Sequence, residues 1–295
     1  MISVQEAFIK FKGRLELTQK EREDASRRQT KIREVIRRAF EIERDILTGS
    51  YSRHTKTKPL KDVDIFCIFG PGEANRRRQS PSDLLDAFRK ALVPEYGDGR
   101  VSVHRRSVEV ELGVQVIEDD SREQVMSFDV VPAFSIEKCY EIPDRQKGTW
   151  IKTDPEAHRE MVTTANNGFS GQLVPMVKMI KKWNDVNGNP VCPPFLLEVM
   201  ALQILAPPFS GGYRYEFKSF LATAASRIGE VWKDPAGFGP PVSDQMDSSK
   251  IAGARRAFEK AGISVSNALR FERENRGGDA LREWRSIFGP LFPLS

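Results

Sequence analysis

Residues 48–69 read TGSYSRHTKTKPLKDVDIFCIF, and the run from Asp62 to Phe69 narrows the choice of fold more than any other part of the chain. Val63, Ile65 and Phe66 begin an apolar, partly β-branched segment that specifies a buried strand. Successive side chains of a strand point to opposite faces, so Asp62 and Asp64 stand side by side on one of them. Two adjacent carboxylates repel and are costly to hold together unless a cation lies between them. A hard divalent cation with oxygen ligands, Mg²⁺ above all, meets that need, and substrate phosphates commonly complete its shell. Just upstream, Gly49 and Ser50 offer backbone N–H groups, close approach and a hydroxyl, which is the chemistry a phosphate requires.

A D-x-D pattern by itself also occurs in solvated turns and at strand ends. What favours a metal here is its coupling to the Gly-Ser pair and to a third carboxylate. Residues 126–134 read MSFDVVPAF, with Asp129 embedded among Phe128, Val130 and Val131. A charge inside an apolar strand is expensive without a partner or a metal. A second strand beside the first, carrying Asp129 on the same face, completes a three-carboxylate cage for two metals. The expectation is a metal-dependent nucleotidyltransferase, with Asp62, Asp64 and Asp129 as catalytic residues and metal ligands.

Gly49-Ser50, Asp62-x-Asp64 and Asp129 together resemble the DNA polymerase β-type nucleotidyltransferase superfamily. Within it the chain resembles the oligoadenylate synthetase and cyclic GMP–AMP synthase branch, whose bacterial members are the CD-NTases of CBASS anti-phage defence. The segments LVPMVKMIKKWND (173–185) and PPFLLEVMALQILA (193–206) carry the helical-lobe part of that resemblance. It implies an α/β (α+β) fold: a polymerase β-like catalytic lobe with a small mixed sheet at 1–150, then an all-helical lobe at 151–295. It implies an activity that joins ATP and other NTPs into a cyclic di- or trinucleotide with release of pyrophosphate. Two Mg²⁺ ions, replaceable by Mn²⁺, are implied as cofactors, and CBASS regulatory or effector proteins as partners. Linear oligoadenylate synthesis or extension of RNA ends is the alternative, since such enzymes share the triad.

The resemblance also implies nucleotide-binding residues. Gly49 and Ser50 grip the β and γ phosphates. The basic residue two before Trp183, Lys181, holds the triphosphate, with Lys178 as a further phosphate candidate. Lys178, Lys181 and Lys182 fall at i, i+3 and i+4 and share a helix face, which a solvated lysine face also explains. Phe195 occupies the position of an aromatic that stacks on the donor base. The family's usual tyrosine and its polar predecessor are Phe195 and Pro194 here, which keeps the ring and removes the hydroxyl. A core aromatic at a helix start is the other reading of Phe195.

Composition excludes more than it assigns. Apolar residues at 39% and charged residues at 29% over 295 positions describe a globular protein of one large domain or two lobes. A net charge of +5 suits polyphosphate substrates but is too small to demand nucleic acid. The three cysteines, Cys67, Cys139 and Cys192, are widely spaced and odd in number, against a disulfide framework. With only His54, His104 and His158 beside them, no zinc-ligand spacing exists. No apolar stretch reaches membrane-spanning length and no signal-peptide core opens the chain, so a cytoplasmic protein without a membrane is expected.

The N-terminal apolar pattern, from Val4 through Phe11 and on to Ile32, Val35 and Ile36, predicts one long helix. Its arginines and lysines between residues 20 and 38 alternate with acidic residues, predicting internal ion pairs rather than an RNA-binding ridge. Residues 70–83 read as a Gly/Pro/Ser-rich mobile loop bearing Arg76, Arg77 and Arg78, without a Walker A pattern. Residues 101–113 predict two short strands, and helices dominate from Asp154 onward.

Overall fold

The computed structural model describes residues 2–114 and 124–295. In chain order the elements begin with α1 (Val4–Arg14), α2 (Gln19–Ala39), β1 (Ile42–Thr48), α3 (Gly49–Ser52), β2 (Asp62–Phe69) and α4 (Pro81–Tyr96). Strands β3 (Val101–Val103), β4 (Val108–Glu111), β5 (Ser127–Ile136), β6 (Cys139–Asp144) and β7 (Thr149–Thr153) follow. Helices α5 (Pro155–Gly168), α6 (Leu173–Val186), α7 (Pro194–Ile204), α8 (Tyr213–Arg227), α9 (Ser248–Arg273) and α10 (Gly277–Phe288) complete the chain. It divides into a sheet unit, Leu17–Arg159 with Ala236–Gly239, and a helical unit, Met1–Glu16 with Glu160–Pro235 and Pro240–Ser295.

In the sheet unit the strand order is β1-β2-β5-β4-β3, with β6 paired to β5 and β7 to β6. Only β2 and β5 run parallel among these neighbours, so the sheet is mixed as expected. The period-two alternation of β2 sorts its residues. Val63, Ile65, Cys67 and Phe69 join Phe128 and Val130 of β5 in a core with Ile32 and Ile36 of α2 and Leu84, Leu85 and Phe88 of α4. Phe66 and Ile68 turn the other way and pack with Val131, Ala133, Tyr140 and Ile142.

The helical unit is built around aromatic rings. Phe8 of α1 meets Trp284 edge-on at 4.9 Å, Phe11 meets Phe288 at 4.8 Å, and Trp183 of α6 stacks on Phe258 of α9 at 5.0 Å. Such pairs contribute about 0.5–1.5 kcal/mol each beyond the apolar area they bury.

Two expectations need correction. The single N-terminal helix is two helices. The Thr18 hydroxyl accepts from the Glu21 amide at 3.2 Å while the Glu21 carboxylate accepts from the Thr18 amide at 2.7 Å, a capping box that starts α2 afresh. In the structure α1 groups with the helical unit, and the sheet unit runs on to Arg159. Residues 70–83 are also not a bare loop. A 3₁₀ segment spans Pro71–Arg78, Arg77 pairs with Glu141 at 2.6 Å, and Arg76 pairs with Glu73 and lies over the Phe40 ring. Arg28 with Asp24 at 2.8 Å is an ion pair of the expected internal kind, whereas Arg33 reaches out of α2 to Asp45 of β1 at 2.9 Å.

Candidate active site on the central strands

Register brings the three aspartates together. In the parallel pairing of β2 and β5, Asp64 lies opposite Asp129 and Asp62 opposite Ser127. By alternation Asp62 and Asp64 share a face with Phe66 and Ile68, and Asp129 shares it with Val131 and Ala133, the face turned from α2 and α4. That side is where carboxylates can stay accessible while the opposite side of the same strands fills the core.

The Gly-Ser turn closes over this face. Gly49 adopts φ +62, and a Cβ placed there would stand 1.7 Å from Asp64 Oδ2. Both the left-handed backbone and the contact exclude any side chain at this position. The turn is tied down by the Thr55 amide, which donates to the Ser50 carbonyl at 3.0 Å. Gly49 and the Asp64 carboxylate are therefore held close, which only a residue without a side chain allows.

Electrostatically the cluster is short of positive charge at its centre. Burial, then the charges of Asp62 and Asp129, push the Asp64 carboxyl up to about 7, against the weaker opposing pull of Lys56 and Arg53. At the rim, Lys56 Nζ lies 2.5 Å from Asp62 Oδ1. Ser107 donates to Asp129 Oδ1 at 2.6 Å, and His104 Nδ1 stands 3.7 Å from the same oxygen. The hydrogen bond and charge of Asp129, with Glu109 and Glu111, raise the His104 imidazole against the effect of burial. Among the described residues no three His, Cys, Asp or Glu side chains already close around one point as a metal cage. The donor set nevertheless fits a hard divalent cation: carboxylate oxygens only, on one face, with Asp64 held far above the usual carboxylate range by burial and then by the charges of Asp62 and Asp129. Direction of charge, rather than a finished polyhedron, is the stronger observation, because carboxylates that repel do not converge on their own.

The remaining expected residues lie in the helical unit. Lys178 and Lys181 sit on α6, each against a carboxylate: Lys178 with Glu16 at 2.6 Å and Lys181 with Glu198 of α7 at 2.9 Å. Lys182 is fully buried, 3.4 Å from Asp185. The solvated lysine face is thus not what forms; burial of the helix on several sides replaces it. Phe195 follows the first residue of α7 and is half-buried against the core of its unit. Sequence reasoning missed Lys56, His104, Ser107 and Glu109. Lys56 lay within the motif loop and could have been flagged by charge; the others become neighbours of Asp129 only because β4 pairs with β5.

Known proteins resemble this chain in sequence and in fold. The chain is 25% identical over 281 residues to a probable cyclic nucleotide synthase of Bacillus cereus, covering 83% of this chain and 81% of that protein. It is 28% identical over 268 residues to a cyclic AMP-AMP-AMP synthase of Acinetobacter sp., covering 84% and 72%. Among solved structures, Escherichia coli MS115-1 CdnC with ATP superposes with a TM-score of 0.72 at 18% identity, over 99% of both chains, and shows the same fold. The model of the Second Messenger Oligonucleotide or Dinucleotide Synthetase domain matches residues 2–166, more than half of the chain and every strand of the sheet, and the chain belongs to that family.

Proposed function

We propose that this protein joins nucleoside triphosphates, ATP among them, into a small cyclic oligonucleotide with release of pyrophosphate. The observation that supports it best is the pairing of Asp64 with Asp129 across parallel strands, directly under the Gly49–Ser50 turn. Asp62, Asp64 and Asp129 would hold divalent cations, Mg²⁺ first and Mn²⁺ in its place, which supply neutralisation of the attacking and leaving oxygens in an in-line displacement. Ser50 and the Gly49 amide grip the β and γ phosphates. Asp129 receives the proton of the acceptor ribose hydroxyl as that oxygen bonds the α phosphorus and pyrophosphate departs. The same residues act again on the free hydroxyl of the linear intermediate to close the ring.

Residues of the helical unit enter this reading through the resemblance. Lys181 is assigned to the triphosphate, and Lys178 to a supporting place. Phe195 is assigned to stacking on a base, which requires only a ring face. Anti-phage signalling in the cytoplasm, with regulatory or effector proteins answering to the product, is the setting the same resemblance implies.

The test is incubation of the purified protein with all four NTPs and Mg²⁺ or Mn²⁺, followed by phosphatase and mass spectrometry. A phosphatase-resistant product of two or three nucleotides is expected. A ladder of linear species, or label transferred only to added RNA, would favour the linear alternative.

A further inference from the structure

The turn between β3 and β4 is anchored far more heavily than a short hairpin requires. Asp144 of β6 has no exposed side-chain surface and takes Arg105 Nη2 at 2.8 Å and Arg106 Nη2 at 3.0 Å, both from that turn. The Arg145 amide donates to the Arg105 carbonyl at 2.9 Å, and the His104 amide donates to the Ser107 carbonyl at 2.9 Å. Between these fixed points Ser107, 9% exposed, aims its hydroxyl at Asp129 Oδ1 from 2.6 Å.

We infer that Ser107 is a positioning residue for Asp129, and that the Asp144 clamp on the turn serves to hold its hydroxyl in place. Three features of the structure carry this. Glu109 lies directly opposite Asp129 in the β4–β5 pairing, so a like charge stands beside the carboxylate and repels it. A serine hydroxyl supplies a directional bond at this spot without adding charge that would compete with a cation. Ser107 and His104 both address Oδ1, so the carboxylate is fixed from one side and Oδ2 is the oxygen it has to give. Partners that orient a ligating carboxylate in this way set its aim as much as the ligand itself does.

This inference rests on the assignment of Asp129 above, and the experiment separates the two. Ser107→Ala, Ser107→Cys and Ser107→Thr are compared with the natural protein by thermal transition, by Mn²⁺ binding measured calorimetrically with a non-hydrolysable ATP analogue present, and by steady-state kinetics. Ser107→Ala is expected to keep its thermal transition and its KM for nucleotide while Mn²⁺ affinity and kcat each fall about 10–100-fold. Ser107→Cys, of similar volume but a weak donor, should fall with it, and Ser107→Thr, which restores the hydroxyl, should recover most of the loss. Unchanged Mn²⁺ affinity in a folded Ser107→Ala protein would overturn the inference. So would a loss confined to KM, failure of threonine to rescue, or unfolding of both the alanine and cysteine variants. Absence of any nucleotide product from the natural protein would sink the proposed function alone, because the Mn²⁺ comparison is read without turnover.

Discussion

In the helical unit the lysines of α6 each lie against a carboxylate: Lys178 against Glu16, Lys181 against Glu198, Lys182 against Asp185. In the sheet unit Asp64 lies among carboxylates instead, and burial together with Asp62 and Asp129 pushes it up to about 7. The first arrangement neutralises charge within the chain. The second accumulates charge of one sign and leaves part of the balance to something the chain binds. Scaffolds follow the first pattern because an unpaired buried charge is so costly. Sites follow the second when the missing charge is a cation carrying substrate. The contrast can be tested by removing one charge from each unit.

The largest effect is expected at the like-charge cluster. Asp64→Asn, and likewise Asp62→Asn and Asp129→Asn, should lose turnover to the limit of detection. For Asp64→Asn the thermal transition should stay level or rise, since repulsion among carboxylates is relieved. Product mass spectrometry and differential scanning calorimetry read the two halves, and a clear drop in the transition of folded Asp64→Asn would break the comparison.

Removing a partner from an opposite-charge pair should do the reverse. Glu198→Ala leaves the Lys181 ammonium among buried groups and is expected to cost about 3 kcal/mol of stability. Denaturant unfolding should show this as a lower midpoint at constant slope. No change in midpoint would mean that the pair does not stabilise the helical unit.

Affinity sharpens the division further. Phe195→Ala should weaken ATP binding by roughly 1–3 kcal/mol if its ring carries a base, with the melting temperature unaltered. Lys181→Ala should weaken ATP binding more than Lys182→Ala, whose fully buried lysine should register as lost stability instead. Isothermal titration against ATP distinguishes these outcomes, and a Phe195→Ala protein that melts early but binds normally would assign that ring to the core.

The smallest effect concerns acid. Burial raises the Asp144 carboxyl, but hydrogen bonds from Arg105, the Lys147 amide and Arg106 outweigh it and leave it below the ordinary value of 3.8. A depressed carboxyl contributes stability that is fully present above its unfolded value and is lost as pH falls through the folded one. Asp144→Asn should therefore lower stability at neutral pH and flatten the decline below about pH 4, where that contribution titrates. Parallel acid-unfolding curves for the two proteins would remove Asp144 from the account.

Much of the sheet unit was legible beforehand. A period of two is a local property, so the D-x-D pair, the apolar strand behind it and the two short strands at 101–113 follow from neighbouring residues alone. The placement of Asp129 needed one further step, that two apolar strands with embedded carboxylates pair in parallel, and the register supplies it. Strands β6 and β7 leave no such local signal, because Pro143 and the mixed residues around it give no clean alternation. Nor does any local signal show Arg105 and Arg106 converging on Asp144 from about 40 positions away.

By itself, then, the sequence determined the catalytic-lobe strands with clean alternation, the shared face of Asp62 and Asp64 and the helical character of the second half. Each depends on residues within a few positions of one another. Tertiary structure decided which unit claims α1, because Phe8 and Phe11 find their aromatic partners near the far end of the chain while Thr18 caps the start of a separate helix, α2. It also decided that the lysines of α6 are paired, with Lys178 and Lys182 buried, and that Ser107 and His104 flank Asp129. Those outcomes depend on which surfaces meet when distant segments pack, and on a register that sets donor against acceptor to within an ångström.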